Sequence, residues 1–129
     1  MTEDSRVTVL RVVLRVLGVF CVIGIYPLTI VWPDGWSWSM GRSEYLEMIL
    51  GLYATLGVFL WIAAGDPERH RSLISFAIWS SIVHGAIMAA QAFGNPMHMG
   101  HLYGDVAALL LVAVVLAYLS PKSIWLRTA

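Results

Sequence analysis

Six polar side chains interrupt an otherwise apolar chain: Glu47, His84, Gln91, His98, His101 and Asp105. An ionisable group inside a bilayer costs about 2.5–3.5 kcal/mol on insertion scales, so each needs a partner or a purpose. Their spacing groups them. In a helix that begins at Pro96, His98, His101 and Asp105 stand at i, i+3 and i+7 on one stripe. His84, Met88 and Gln91 stand at i, i+4 and i+7, and Ser80 continues that stripe one turn inward. At about 1.5 Å per residue, His84 lies about 13 Å inside Phe93, and Asp105 about 13 Å inside Pro96. The spacing therefore predicts a cluster of His84, His101 and Asp105. Glu47 lies about 5 Å inside Glu44. It joins the cluster if its helix begins earlier; otherwise it pairs nearer the surface with His98 or His101.

Several chemistries suit this set. Imidazole and carboxylate ligate zinc, iron, manganese or copper, which makes His84, His101 and Asp105 candidate ligands for a transition metal ion. Met97-His98-Met99-Gly100-His101 adds a copper option, since thioethers suit that metal, although Met97 and Met99 leave a helix on other faces than His98. A haem held by His84 and a second histidine is a further option. A histidine–carboxylate pair also relays protons or holds a quinone or a lipid headgroup, because imidazole titrates near neutrality. The remaining reading is structural: buried His–Asp and His–Glu hydrogen bonds lock helices together and catalyse nothing. No Gly-x-Ser-x-Gly, phosphate-binding glycine loop, dinucleotide fingerprint, His-Glu-x-x-His or Cys-x-x-Cys occurs.

The elements that must position these groups follow from composition. Of 129 residues, 59% are hydrophobic and 12% charged, against about 45–50% and about 25% in soluble domains. Mean hydropathy is +0.76. This is membrane composition in a single domain, 1–129. Eight basic residues balance eight acidic ones, and without a basic stripe nucleic-acid binding is not expected. The one cysteine, Cys21, excludes a disulfide scaffold and reads as an inert apolar residue. Four stretches reach the roughly 20 apolar residues that a span needs: 10–32, 44–64, 67–93 and 96–119. The fold expected is all-α, an integral-membrane antiparallel four-helix bundle.

The connections carry helix punctuation. In Gly65-Asp66-Pro67 a left-handed glycine ends one helix, aspartate caps the next and proline opens it; Gly94-Asn95-Pro96 repeats the pattern. Ser43 caps the second span, with Glu44 in its first turn, and Ser120-Pro121 stops the fourth. Between Pro33 and Arg42, Trp36 and Trp38 place the connection on the membrane surface. Pro27 predicts a kink. Arg6, Arg11, Arg15, Arg69, Arg71, Lys122 and Arg127 fall on one side and Arg42 on the other, so both termini are expected in the cytoplasm. Arg11 and Arg15 are expected to snorkel to headgroups. Trp125 and Leu126 hold the tail at the inner surface. No small-residue cleavage site follows Tyr26-Pro27, so span one reads as a retained helix.

Small residues predict close helix approach: Gly18, Gly24, Gly51, Gly57 and the pair Gly85 and Ala89, within the chain or in a homo-oligomer. Tyr45, Tyr53 and Tyr118 read as ordinary core or lipid contacts. His70 and Arg71 read as a solvated face near headgroups.

The segment from Ser43 to Gly57, Ser-Glu-Tyr-Leu-Glu-Met-Ile-Leu-Gly-Leu-Tyr-Ala-Thr-Leu-Gly, resembles part of an uncharacterised family of small bacterial four-helix membrane proteins. So do Asp66-Pro67, His70-Arg71-Ser72-Leu73, Trp79-Ser80-Ser81, His84-Gly85, Met88, Gln91, Gly100-His101-Leu102 and Gly104-Asp105-Val106. The resemblance runs from about Arg11 to Pro121, and more loosely the chain is similar to DoxX-like proteins. It implies a fold and a bacterial inner membrane, with the outer side periplasmic, and it assigns no catalytic residue. The expectation is a pocket on the outer side, formed by Glu47, His84, His101 and Asp105 with His98 and Gln91 at its rim, taking a small ligand or a metal ion. The competing expectation is an accessory or scaffold protein in which these residues only lock helices. Partners expected are the lipid bilayer and a second copy or another membrane protein.

Overall fold

The computed structural model describes residues 1–38 and 43–121. Arg42, Lys122, Trp125, Leu126 and Arg127 lie outside the described residues. Every regular element among the described residues is helical: α1 (Glu3–Val19), a π-helical turn (Phe20–Gly24), α2 (Ile25–Val31), α3 (Pro33–Trp36), α4 (Glu44–Ala63), a 3₁₀ turn (Pro67–His70), α5 (Arg71–Gly94), a second 3₁₀ turn (Pro96–Leu102) and α6 (Asp105–Leu119). Four continuous stretches, Glu3–Val31, Glu44–Ala63, Pro67–Gly94 and Pro96–Leu119, are long and apolar enough to cross a membrane. Only 17% to 33% of each apolar window is buried inside the protein. Ile23, Val31, Leu52, Phe76, Phe93 and Val114 are among the apolar side chains left on the outer faces, where hydrocarbon rather than water is their natural solvent.

Span one starts about two turns earlier than its apolar run suggests, because Thr2 caps it. The Thr2 side chain accepts from the Ser5 N–H, and Glu3 and Asp4 occupy the favourable first turn. The irregularity expected at Pro27 lies in the turn before it. Pro27 has no N–H to give to the carbonyl of residue 23, and the chain widens to a π turn over Phe20–Gly24, with the Ile25 N–H reaching the Phe20 carbonyl.

The helices reverse direction at each connection, as expected, but the caps differ in detail. Ser43 accepts from the Leu46 N–H, and Asn95 from the Met97 N–H. Asp66 makes no side-chain cap, and Gly65 is not left-handed. The turn at 64–67 is closed instead by backbone bonds, Gly65 N–H to the Ile62 carbonyl and Asp66 N–H to the Ala63 carbonyl. Arg11 donates to the Gly65 carbonyl at 2.8 Å, so it tethers α1 to this turn rather than simply reaching for headgroups. Arg15 lies over the Trp61 ring and Arg6 over the Tyr118 ring, at 5.8 and 5.1 Å. The basic residues Arg6, Arg11, Arg15, Arg69 and Arg71 thus gather at one end.

The buried apolar core lies toward that end. Leu10, Leu14, Leu60, Ala63, Ala64, Ile74, Ala77, Ile78, Leu116 and Leu119 form one buried cluster. α1 meets α4, and α5 meets α6. The α1–α4 crossing depends on glycine: a Cβ at Gly18 would sit 2.7 Å from the Gly57 carbonyl oxygen, and one at Gly57 would sit 2.8 Å from the Cys21 Cβ. Gly85 packs on Leu110, whereas Gly51 has nothing within 4 Å and takes no part. Gly24 faces the Phe20 ring of its own helix.

The fourth span departs from expectation where it matters for function. It is not one α-helix from Pro96. Seven residues form a 3₁₀ turn, the chain bends at Tyr103-Gly104, and α6 begins only at Asp105. The cause is the packing of α3 across this bend. A Cβ at Gly100 would meet the Asp34 carbonyl oxygen at 2.7 Å, and a Cβ at Gly104 would fall on the Gly35 backbone. Two glycines therefore admit the α3 turn with Trp36, and Trp38 just after it, to the polar end of the molecule.

Candidate functional site

Two polar pairs stand at this end. In the first, His101, 1% exposed, is held on both ring nitrogens. Its Nδ1 lies 3.0 Å from Asp105 Oδ1, and its Nε2 lies 3.1 Å from the Ser37 carbonyl oxygen. Trp38 completes the arrangement. Its Nε1–H donates to Asp105 Oδ2 at 2.8 Å, and its ring stacks on His101 with centroids 3.9 Å apart. His98 leans on the other neighbours, 4.7 Å from the Trp38 ring and 5.7 Å from the His101 ring. The i, i+4 relation of His101 and Asp105 survives the bend, so the pair forms although the continuous stripe does not.

Hydrogen-bond counting constrains the protons. The Ser37 carbonyl only accepts, so Nε2 carries a hydrogen and donates. Nδ1 faces a carboxylate, so one further proton lies between Nδ1 and Asp105, on one or the other. The cluster is a proton-holding pair clamped by an indole, and both of its ring nitrogens are spent on protein partners.

The second pair is Tyr53 and His84, on α4 and α5. The phenol oxygen lies 2.6 Å from His84 Nδ1, with the rings nearly parallel and 6.0 Å apart. The expected convergence of His84 with His101 and Asp105 is therefore partial. His101 and Asp105 meet; His84 bonds to Tyr53 instead, because the α5 stripe faces α4 as well as α6. Among the described residues no three His, Cys, Asp or Glu side chains are placed to hold a metal ion.

Asp105 of the first pair, with Trp38, and both members of the second open onto one cavity of about 130 Å³ between the helices. Its wall is almost wholly apolar, with Leu17, Phe20, Leu50 and Leu109 among its sides, and it reaches Leu60 and Leu116 of the packed core. Tyr53, His84, Ser81, Trp38 and Asp105 contribute its polar points, and Trp36 and Cys21 also line it. The π turn supplies Phe20 and Cys21 to this wall. π turns inside α-helices recur at functional sites.

The other expected site residues lie elsewhere. Glu47 is exposed in the first turn of α4, and Gln91 is exposed near the end of α5. His98 is half-buried at the edge, against Trp38. None of the three lines the cavity, and neither does fully buried His101, which sits behind Asp105. The residues that sequence reasoning missed are Tyr53, Trp36 and Trp38. Read as an anchor at the membrane surface, Trp38 is in fact the hydrogen-bond donor and stacking partner of the His101–Asp105 pair. The available signal was Gly100 and Gly104, two glycines four apart beside a histidine and an aspartate, which mark close backbone approach. For Tyr53, the signal was a phenol one turn from Gly57 on a helix facing His84.

No curated protein and no solved structure matches the chain, and none of the comparisons bears on the looser likeness to DoxX-like proteins. The model of DUF6632, described as a family of unknown function, matches residues 4–128. That span is nearly the whole chain, and it includes α1 from Asp4 onward, both polar pairs and every wall of the cavity: the protein belongs to this family of unknown function.

Proposed function

We propose that this protein is a multi-pass protein of the bacterial inner membrane that binds a small lipid-soluble molecule in the cavity between its four spans. The observation that carries the reading is the composition of the cavity wall. An apolar chamber whose few polar points converge from different helices is the usual form of a small-molecule site. Here Tyr53–His84 and Trp38–Asp105 are those points. Arg6, Arg11, Arg15, Arg69 and Arg71 gather at the opposite end, which by the positive-inside rule faces the cytoplasm. The polar end and its cavity then lie toward the periplasmic half, and both termini lie inside. The ligand is organic rather than a metal ion, since His101 already spends both nitrogens and His84 spends Nδ1 on Tyr53.

The test is a variant that fills the chamber. Ala108 is half-buried on the wall, and Ala108→Leu adds three carbons to a space of about 130 Å³. Protein purified in mild detergent is extracted with solvent, and the extract is compared by mass spectrometry with that of the variant. A small molecule enriched with the parent and depleted at least fivefold in a folded Ala108→Leu variant supports the reading. Equal extracts refute it.

A second reading has its own observation. His101, nearly inaccessible and bonded to Ser37, Asp105 and the Trp38 ring, ties the 33–38 segment to α6. In an accessory or scaffold protein this lock is its whole role. Under that reading Ala108→Leu is neutral or stabilising and carries no chemical phenotype.

A further inference from the structure

Trp36 stands on the cavity wall, and its indole Nε1 is shielded from solvent without a hydrogen-bond partner among the described residues. Buried N–H groups are satisfied in the great majority of proteins, and an exception at a cavity points to a missing acceptor. The indole nitrogen is a donor only. Whatever satisfies it must bring an oxygen or another acceptor. The other cavity-lining tryptophan, Trp38, differs in this respect, since its Nε1 is already committed to Asp105. The ring of Trp36 is itself held, edge-on to Phe20 at 6.0 Å, so the unpartnered group belongs to a positioned side chain.

Size narrows the occupant. A dry apolar cavity of about 150 Å³ holds one benzene ring. At about 130 Å³ this chamber takes a single six-membered ring, and a longer hydrocarbon tail must leave it. We infer that the ligand is a lipid-soluble carbonyl compound of single-ring size, of the quinone type, whose carbonyl oxygen accepts from Trp36 Nε1. This deepens the proposed function and rests on it. Tyr53 and His84 line the same chamber. Their O–H and imidazole provide both a donor and an acceptor for a second polar substituent on the ring. No redox step is implied; the inference concerns recognition alone.

The test uses two probes of one shape. 1,4-Benzoquinone and 1,4-dimethylbenzene each carry two para substituents on one six-membered ring, eight heavy atoms apiece, and only the first has carbonyls; intact mass confirms that Cys21 on the wall is not arylated during the measurement. Binding to the full chain in nanodiscs is measured by equilibrium dialysis against empty nanodiscs, for the parent and for Trp36→Phe, which keeps an aromatic ring and deletes the N–H. The expected result is that the parent prefers the quinone by about 3- to 10-fold, the size of one net hydrogen bond, and that Trp36→Phe abolishes the preference. In parallel, the indole ¹⁵N–H resonance of Trp36 is followed in the parent, among the six tryptophans of the chain. It is expected to move downfield with the quinone and to stay in place with the hydrocarbon.

If both probes bind equally and the resonance does not respond, the chamber is a ligand site but the acceptor inference is overturned. A preference that persists in Trp36→Phe overturns the assignment to Trp36. If neither probe binds and Ala108→Leu also leaves the co-purified extract unchanged, the cavity reading falls together with the inference. Should Trp36→Phe fail to fold, the parent's indole resonance decides alone: a quinone-specific shift supports the inference and its absence overturns it.

Discussion

Asp105 lends itself to a comparison that separates hydrogen bonding from charge. Its two carboxylate oxygens face the Trp38 Nε1–H at 2.8 Å and His101 Nδ1 at 3.0 Å, and the residue is 8% exposed. Asp105→Ala removes both acceptors and leaves two ring nitrogens without partners. Each buried orphan costs about 1–3 kcal/mol. Interhelical hydrogen bonds in membranes average nearer 0.6 kcal/mol, because the unfolded chain also finds partners there. The lower half of the first range, about 1–2 kcal/mol for each of the two nitrogens, is therefore appropriate, and Asp105→Ala is expected to cost about 2–4 kcal/mol. Asp105→Asn behaves differently. Its amide oxygen still accepts from Trp38, while its NH₂ donates to a neutral Nδ1, and His101 continues to donate to Ser37 through Nε2. All three bonds persist with no shared proton, so the loss is expected to stay below about 1 kcal/mol. Reversible unfolding in mixed micelles, followed by circular dichroism and by the near-ultraviolet tryptophan signal, measures both. If alanine and asparagine destabilise equally, the hydrogen-bond accounting is wrong and the charge itself carries the interaction. If neither has an effect, the pair does not hold the 33–38 segment.

Glycine packing yields a matched pair of predictions. Gly18→Val drives a side chain into the Gly57 backbone and is expected to cost about 1–3 kcal/mol; Gly51→Ala, with open space around it, is expected to gain about 0.5–1 kcal/mol from helix propensity. Thermal unfolding in one detergent compares them, and a reversed order would refute the α1–α4 crossing. Gly104→Ala is expected to displace α3 and release Trp38 from His101, seen as a loss of near-ultraviolet tryptophan dichroism with the far-ultraviolet helical signal retained; an unchanged spectrum would show that the bend tolerates a Cβ. Tyr53→Phe removes one hydrogen bond at 2.6 Å and is expected to lower stability by about 0.5–1.5 kcal/mol and to shift the His84 ¹⁵Nδ1 resonance; a resonance that stays in place would mean that the pair is not formed in solution.

How far the site was legible can be judged residue by residue. The His101–Asp105 pair follows from a spacing of four, and four residues bring side chains together on an α-helix and across this 3₁₀-to-α bend alike. His84 was identified as a polar group needing a partner, but not its partner. Which of two facing helices a side chain bonds depends on rotation about the helix axis, and a span apolar on every side has no moment to reveal it. α5 and α6 are spans of that kind. Glu47 was grouped with the site from depth along the axis and Gln91 from its i+7 spacing to His84; both are exposed. Depth is readable from rise per residue, whereas azimuth is not.

The apolar runs and their punctuation determine the four long helices, their limits to within a turn at most boundaries and the reversals between them, because backbone polar groups in hydrocarbon have no other way to be satisfied. The gathering of arginines at one end follows from the same pattern. The tertiary structure alone decided that α3 lies across a glycine-lined bend, that Trp38 joins the His101–Asp105 pair, and that Trp36 stands on a chamber wall with an unanswered N–H. Those outcomes depend on contacts between segments some 65 residues apart, as in Trp38 to Asp105 at a separation of 67. Local periodicity has no term for such contacts; they are set by which surfaces fit when four helices close around a space they do not fill.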